Sequence, residues 1–133
     1  MAQLSLGSVK LTMALPDARE AVREALGAQG FGVLSEIDMS GTLKAKLGVE
    51  RPPLVILGAC NPAIADRALQ LDPDAGLVLP CNVALSGTAP DEVTVTITDP
   101  RALLPSGSLA EVAEEATGLL RAVLQGLAAR SST

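Results

Sequence analysis

The chain has 133 residues, a single aromatic ring (Phe31) and no histidine, and its 10 Lys plus Arg stand against 15 Asp plus Glu for a net charge of −5. Without imidazole there is no Ser-His-Asp triad, no Cys-His pair and no HExxH zinc site, so any metal site must use thiolate, carboxylate or carbonyl ligands. Without a basic run or stacking rings, the composition speaks against nucleic acid and against an anionic membrane surface as partners.

The length predicts one domain, 1–133, that buries roughly 65–70% of its extended-chain surface and needs no staple to fold. Its apolar residues are almost all Ala, Leu and Val, which predicts an aliphatic core. The amino-terminal stretch lacks the charged and apolar regions of a signal peptide, and no apolar run approaches the ~20 residues of a membrane span. The expectation is a cytoplasmic protein whose two cysteines are free thiols.

Val9, Leu11, Met13 and Leu15 alternate with smaller or polar residues and predict a half-buried first strand. Pro16-Asp17 breaks it, Asp17 and Glu20 sketch a capping box, and Ala18, Val22, Ala25 and Leu26 give a helical face that Gly30 should end. Phe31, Val33, Ser35, Ile37 and Met39 alternate as a second strand, with Glu36 and Asp38 on the opposite face as solvated charges. "SGTLKAKLG" is at most a short helix, and "ERPP" forces extended backbone after it. Leu54 to Ala59 is apolar throughout, as in a strand central to its sheet. Asn61 then suits an N-cap and Pro62 the first helical turn, with Ile64, Ala65, Ala68 and Leu69 on the buried side.

Leu77 to Ser86 reads as extended chain that bends, bulges or begins at Pro80, and "SGTAPDE" as a hairpin loop. Val93, Val95 and Ile97 alternate with Thr94, Thr96 and Thr98, leaving a threonine face for solvent or a partner. "DPRALLPSG" reads as irregular; Asp72 and Asp74, in the earlier "DPDAG", and Asp99 read as turn formers. Ser108 and Glu111 form a capping box for a long amphipathic helix over about 108–129. The order β-α-β-(short α)-β-α-β-β-α predicts a two-layer α+β fold: a mixed β-sheet with helices mainly on one face, its first elements compatible with a ferredoxin-like pattern.

The two cysteines carry the one candidate site. Each is followed by asparagine, in "LGACNPAIA" and "LVLPCNVAL". Cys60 should end an inner strand at the mouth of a helix, where ligands gather in open α/β arrangements and where the helix field favours anions and thiolates. Pro62 removes one amide, so those of Ala63 and Ile64 would serve. If the strand of Cys81 lies beside that of Cys60, then Cys60, Asn61, Cys81 and Asn82 form a ligand site, with Cys60 and Cys81 able to hold a soft metal, exchange electrons or carry sulfur. The plainer reading makes both cysteines small core residues, Asn61 a cap and Asn82 a pin for a bend after Pro80.

The segments "LGACNP", "ADRAL" and "DPDAGLVLPCNV" are similar to the family called domain of unknown function 302. Its strand-to-helix turn matches Asn61-Pro62, its aliphatic-Pro pair matches Leu79-Pro80, and the resemblance runs over about 14–103, with the last helix as an addition. Gly58 departs from the pattern by standing two residues ahead of Cys60, not next to Asn61, as in a cysteine-bearing branch with an ACNP motif. The resemblance implies a compact α+β fold and a homodimer, and no established activity or cofactor. Three functions stay open: a homodimeric binding or sensing module for a soft metal or sulfur species, a thiol-dependent oxidoreductase or sulfur carrier, and a structural or assembly protein.

Overall fold

The computed structural model describes residues 3–104 and 107–131. β1 (Ser5–Leu11) starts and ends four residues ahead of the expected alternation; Pro16 takes the first turn of α1 (Leu15–Ala28) and draws Leu15 into the helix. Ala14 is the N-cap and offers no side-chain bond, so the Asp17–Glu20 capping box does not form; Asp17 lies inside the first turn, where its charge suits the helix dipole. The helix ends as expected. Gly30 adopts φ +82°, its N–H donates to the Gly27 carbonyl at 3.1 Å, and the Phe31 N–H donates to that of Leu26 at 3.0 Å.

β2 (Gly32–Asp38) departs from the simple alternation. Val33 pairs with Ala59 but Ser35 with Gly58, so one extra residue at Leu34 makes a bulge. Beyond it every side chain changes face: Glu36 and Asp38 turn to the helix side and Ile37 to the opposite side, away from buried Phe31. The Asp38 carboxylate caps α2 (Met39–Leu47) by accepting from the Gly41 N–H, and Gly48 at φ +69° stops that helix.

β3 (Leu54–Cys60) leads into α3 (Pro62–Leu71), a 3-10 turn at Pro73–Leu77, and β4 (Cys81–Ala89), which begins just after Pro80. β5 (Glu92–Thr98) follows a tight hairpin. The stretch expected to be irregular holds a short helix, α4 (Pro100–Leu103), capped by Asp99; its residues 105–106 lie outside the described ones. α5 (Ala110–Ser131) is the last element among the described residues.

The sheet order is β1-β5-β4-β3-β2, and all four pairings are antiparallel. The sheet is therefore not mixed. The chain leaves β3 at Cys60 and returns at Cys81 at the same end, with Ala59 opposite Cys81, so β4 runs back beside β3. α1 and α5 cover one face. Val55 and Leu57 of β3, Val83 and Leu85 of β4, and Val93, Val95 and Ile97 of β5 meet Val22, Leu26, Leu120, Val123 and Leu127 there. Gly7 lets α5 come close to β1, since a Cβ at that position would sit 3.0 Å from Leu124 Cδ1. α5, expected as an addition to a core of about 14–103, thus supplies part of the main core. A second cluster joins Ile64 and Ala68 of α3 to Ala75, Leu104, Val112, Ala113 and Ala116.

Candidate functional site

The strands of the two cysteines are neighbours, as the sequence reading required. Their thiols nevertheless belong to different sides of the sheet. Cys81 pairs with Ala59 and joins Leu57, Val83 and Phe31 in the core beneath the helices. Cys60 follows Ala59, and its strand partner is Gly32, so the period-two alternation turns it toward the other face, half-buried. Both thiols are free. Burial pushes the Cys81 thiol up to about 11, and the nearby Cys60 adds to the rise. Among the described residues, no group of three or more acidic or thiol side chains could hold a metal ion.

The two asparagines also differ. Asn61 is the N-cap of α3: its Oδ1 accepts from the Ile64 N–H at 3.3 Å, and its Nδ2 donates to the Gln29 carbonyl at 3.4 Å. The Ile64 amide is thus committed to the cap, and the Ala65 N–H bonds the Asn61 carbonyl at 2.9 Å. Asn61 ties α3 to the end of α1, and replacing it with alanine should cost about 1 kcal/mol, the usual worth of an N-cap, read as a lowered urea midpoint. A change in affinity for an added thiophilic metal, with stability unaltered, would contradict this structural role. Asn82 is exposed and faces away from the helices, paired in register with Gly58.

Gly58 has a physical reason to be glycine. A Cβ there would lie 2.7 Å from Pro80 Cγ and nearer still to Ser35 Oγ, both of which fold over it. Gly58, Leu79 and Pro80, together with Pro62 in the first turn of α3, therefore act on backbone shape; the Leu79–Pro80 peptide is cis.

Asn82 belongs to a surface that sequence reasoning found only through the threonines of β5. One row of register partners crosses all five strands as Ser8, Thr96, Ala84, Ile56 and Ile37. Lys10, Thr94, Ser86 and Leu54 form a second row beside it. None of these residues belongs to either core cluster. The Ser8 and Thr96 hydroxyls are hydrogen-bonded at 2.9 Å. A hollow of about 200 Å³ opens here, lined by Leu4, Ser5, Ile56, Asn82, Ala84, Thr96, Ile97 and Thr98. Its walls are mostly aliphatic, with the Asn82 amide and threonine hydroxyls as hydrogen-bonding groups. The strands place only two charges on this face, Lys10 and Glu92, whose nearest atoms are 4.0 Å apart.

The charged residues of β2 serve a different cleft, on the helix side. Leu15, Pro53 and Val55 line it together with Arg19, Glu36, Asp38 and Ser40. Arg19 makes a two-point ion pair with Glu36, donating from Nε at 3.0 Å and from Nη2, and Arg23 adds a third contact at 3.3 Å. The Arg19 guanidinium, helped by Arg23, holds the Glu36 carboxyl below its ordinary range. Asp38 is lowered by the Gly41 N–H and the Ser40 hydroxyl. These groups satisfy one another and fasten β2 to α1 and α2.

No helix among the described residues is long and apolar enough to cross a membrane. No curated protein matches the chain. A crystal structure of an uncharacterized conserved DUF302 protein from Bacillus stearothermophilus is similar, at 27% identity and a TM-score of 0.82 over 91% of this chain and 96% of that one. Over residues 7–127 the chain matches the model of the domain of unknown function DUF302, and it belongs to that family.

Proposed function

We propose that this chain is a small homodimeric binding module that takes its ligand on the uncovered face of the sheet. The hollow beside Asn82 carries the reading: its surface is almost wholly apolar, Asn82, Thr96 and Thr98 are among its lining residues, and no charged side chain lines it. Such a site suits a small uncharged molecule with an apolar body and one hydrogen-bonding group. The thiols have no part in this reading. Cys81 is protonated in the core and Cys60 points the other way, which makes them a poor chelate for a soft metal and a poor redox couple.

The experiment is a fluorescence titration with 2-naphthol, an uncharged guest bearing a single hydroxyl. Wild-type protein should bind it. Ala84→Asp, which puts a charge in the hollow, should weaken binding by at least about tenfold. Equal affinity of both proteins would sink the assignment of the site.

A further inference from the structure

We infer that the guest of this module has two apolar arms joined by an uncharged amide, with the amide at Asn82 and the second arm leaving the hollow for a neighbouring cleft. The inference rests on the hollow as the binding site and extends it. The cleft, of about 340 Å³, is lined by Leu77, Val78, Leu79, Pro80, Asn82 and Leu103. Asn82 lines the hollow as well, so its side chain stands between the two. Their rims are also tied through the backbone. The Asp99 N–H donates to the Leu4 carbonyl at 2.7 Å, which fastens the start of α4, the helix that carries Leu103, to the Leu4 rim of the hollow.

The lining of each part selects a part of the guest. The hollow is almost wholly apolar, and the cleft adds Leu77, at 83% the most exposed large apolar side chain among the described residues. Val78 and Leu79 pack partly on the second core cluster, so the walls beside Leu77 are anchored. No charged side chain lines either part, although the chain holds 15 Asp plus Glu. An ionic guest would lose its hydration there without gaining a partner. Asn82 is the one polar side chain in the cleft. Its amide is exposed and makes no hydrogen bond to another described residue. Its register partner is Gly58, which brings no side chain to compete for it. An asparagine amide both donates and accepts, so its full complement is a group that does the same, as a secondary amide does and an ester does not. Asn82 thus meets the middle of the guest, with an apolar arm on either side.

Fluorescence titration with three guests tests this. N-hexyl-2-naphthamide has both arms, 2-naphthamide lacks the hexyl arm, and hexyl 2-naphthoate replaces the amide with an ester. Wild type should bind the hexyl amide at least about tenfold more tightly than 2-naphthamide, because the arm buries its methylenes in the cleft. Leu77→Asp should remove that gain, and Leu47→Asp, on α2 and away from both hollow and cleft, should keep it. Both leucines are exposed, so thermal unfolding of either variant should match wild type. The hexyl amide should also bind at least about fivefold more tightly than the ester, a preference that Asn82→Leu removes. If wild type binds 2-naphthol but the hexyl arm adds nothing, or Leu77→Asp keeps the gain, the place of the second arm in the cleft is overturned while the hollow stands. Equal affinity for amide and ester overturns the role of Asn82. A wild-type protein that binds none of these naphthyl guests overturns the inference and the hollow together.

Discussion

Replacing Leu120 with alanine should cost about 2–5 kcal/mol of stability, seen as a lower urea midpoint with an unchanged slope. Leu120 is fully buried, and with Val123 and Leu127 it presses one stripe of α5 onto the sheet and α1. Removing its branched end leaves a cavity in an aliphatic core where Phe31 is the only ring, so there is little large, mobile side chain to collapse into it. A domain of this size has about 5–15 kcal/mol in total, so this one change would take a large share of it. Gln125, exposed on the same helix, is the matched control, and its alanine variant should stay within about 0.5 kcal/mol of wild type. A cost below about 1 kcal/mol for Leu120→Ala would mean that α5 is peripheral to the core.

The case of α5 shows which parts of this fold can be read from sequence. Its amphipathic stripe is a local pattern, visible as leucines and valines at helical spacing. The surface that the stripe meets is not local: β1 lies about a hundred residues earlier in the chain. The same division recurs elsewhere. Gly30 and Asn61 were legible because a helix stop and a helix cap are settled within a few residues. The bulge at Leu34 was not, because it exists only as a mismatch between β2 and its partner β3. One inserted residue was enough to invert the faces of Glu36 and Ile37. The threonine alternation of β5 correctly set aside a face for solvent or a partner, but the hollow needs Leu4, Ile56 and Asn82 from three other parts of the chain.

The matched Cys-Asn dipeptides were the most conspicuous feature of the sequence, and they diverge in the structure for the same reason. Each sits at an end of a strand, one leaving the sheet and one entering it. In the antiparallel ladder Ala59 takes the place opposite Cys81, so Cys60 falls one residue out of step. A one-residue offset is a change of face. Asn61 then begins a helix while Asn82 remains in its strand, so identical dipeptides meet different surroundings.

The native protein should therefore show one reactive thiol. A disulfide reagent at pH 7.5 should label Cys60 readily and leave Cys81 unlabelled until the chain unfolds, since Cys60 is partly accessible and Cys81 is buried. With its pKa near 11, Cys81 is also almost wholly protonated there, with a thiolate fraction on the order of a few parts in ten thousand. Cys60→Ser should abolish the native signal, and Cys81→Ser should leave it intact. The same burial gives a pH dependence with a definite sign. The unfolded chain releases the Cys81 proton near pH 8.5 and the folded one only near 11, so its contribution is complete below pH 8.5 and is lost as pH rises through that window. The loss is of order 2–3 kcal/mol by pH 11, measured as the difference between wild type and Cys81→Ala in urea unfolding at each pH. Rapid labelling of both thiols in the folded state, with Cu(I) protecting the two together, would instead place both sulfurs at one accessible site and return the function to thiol chemistry.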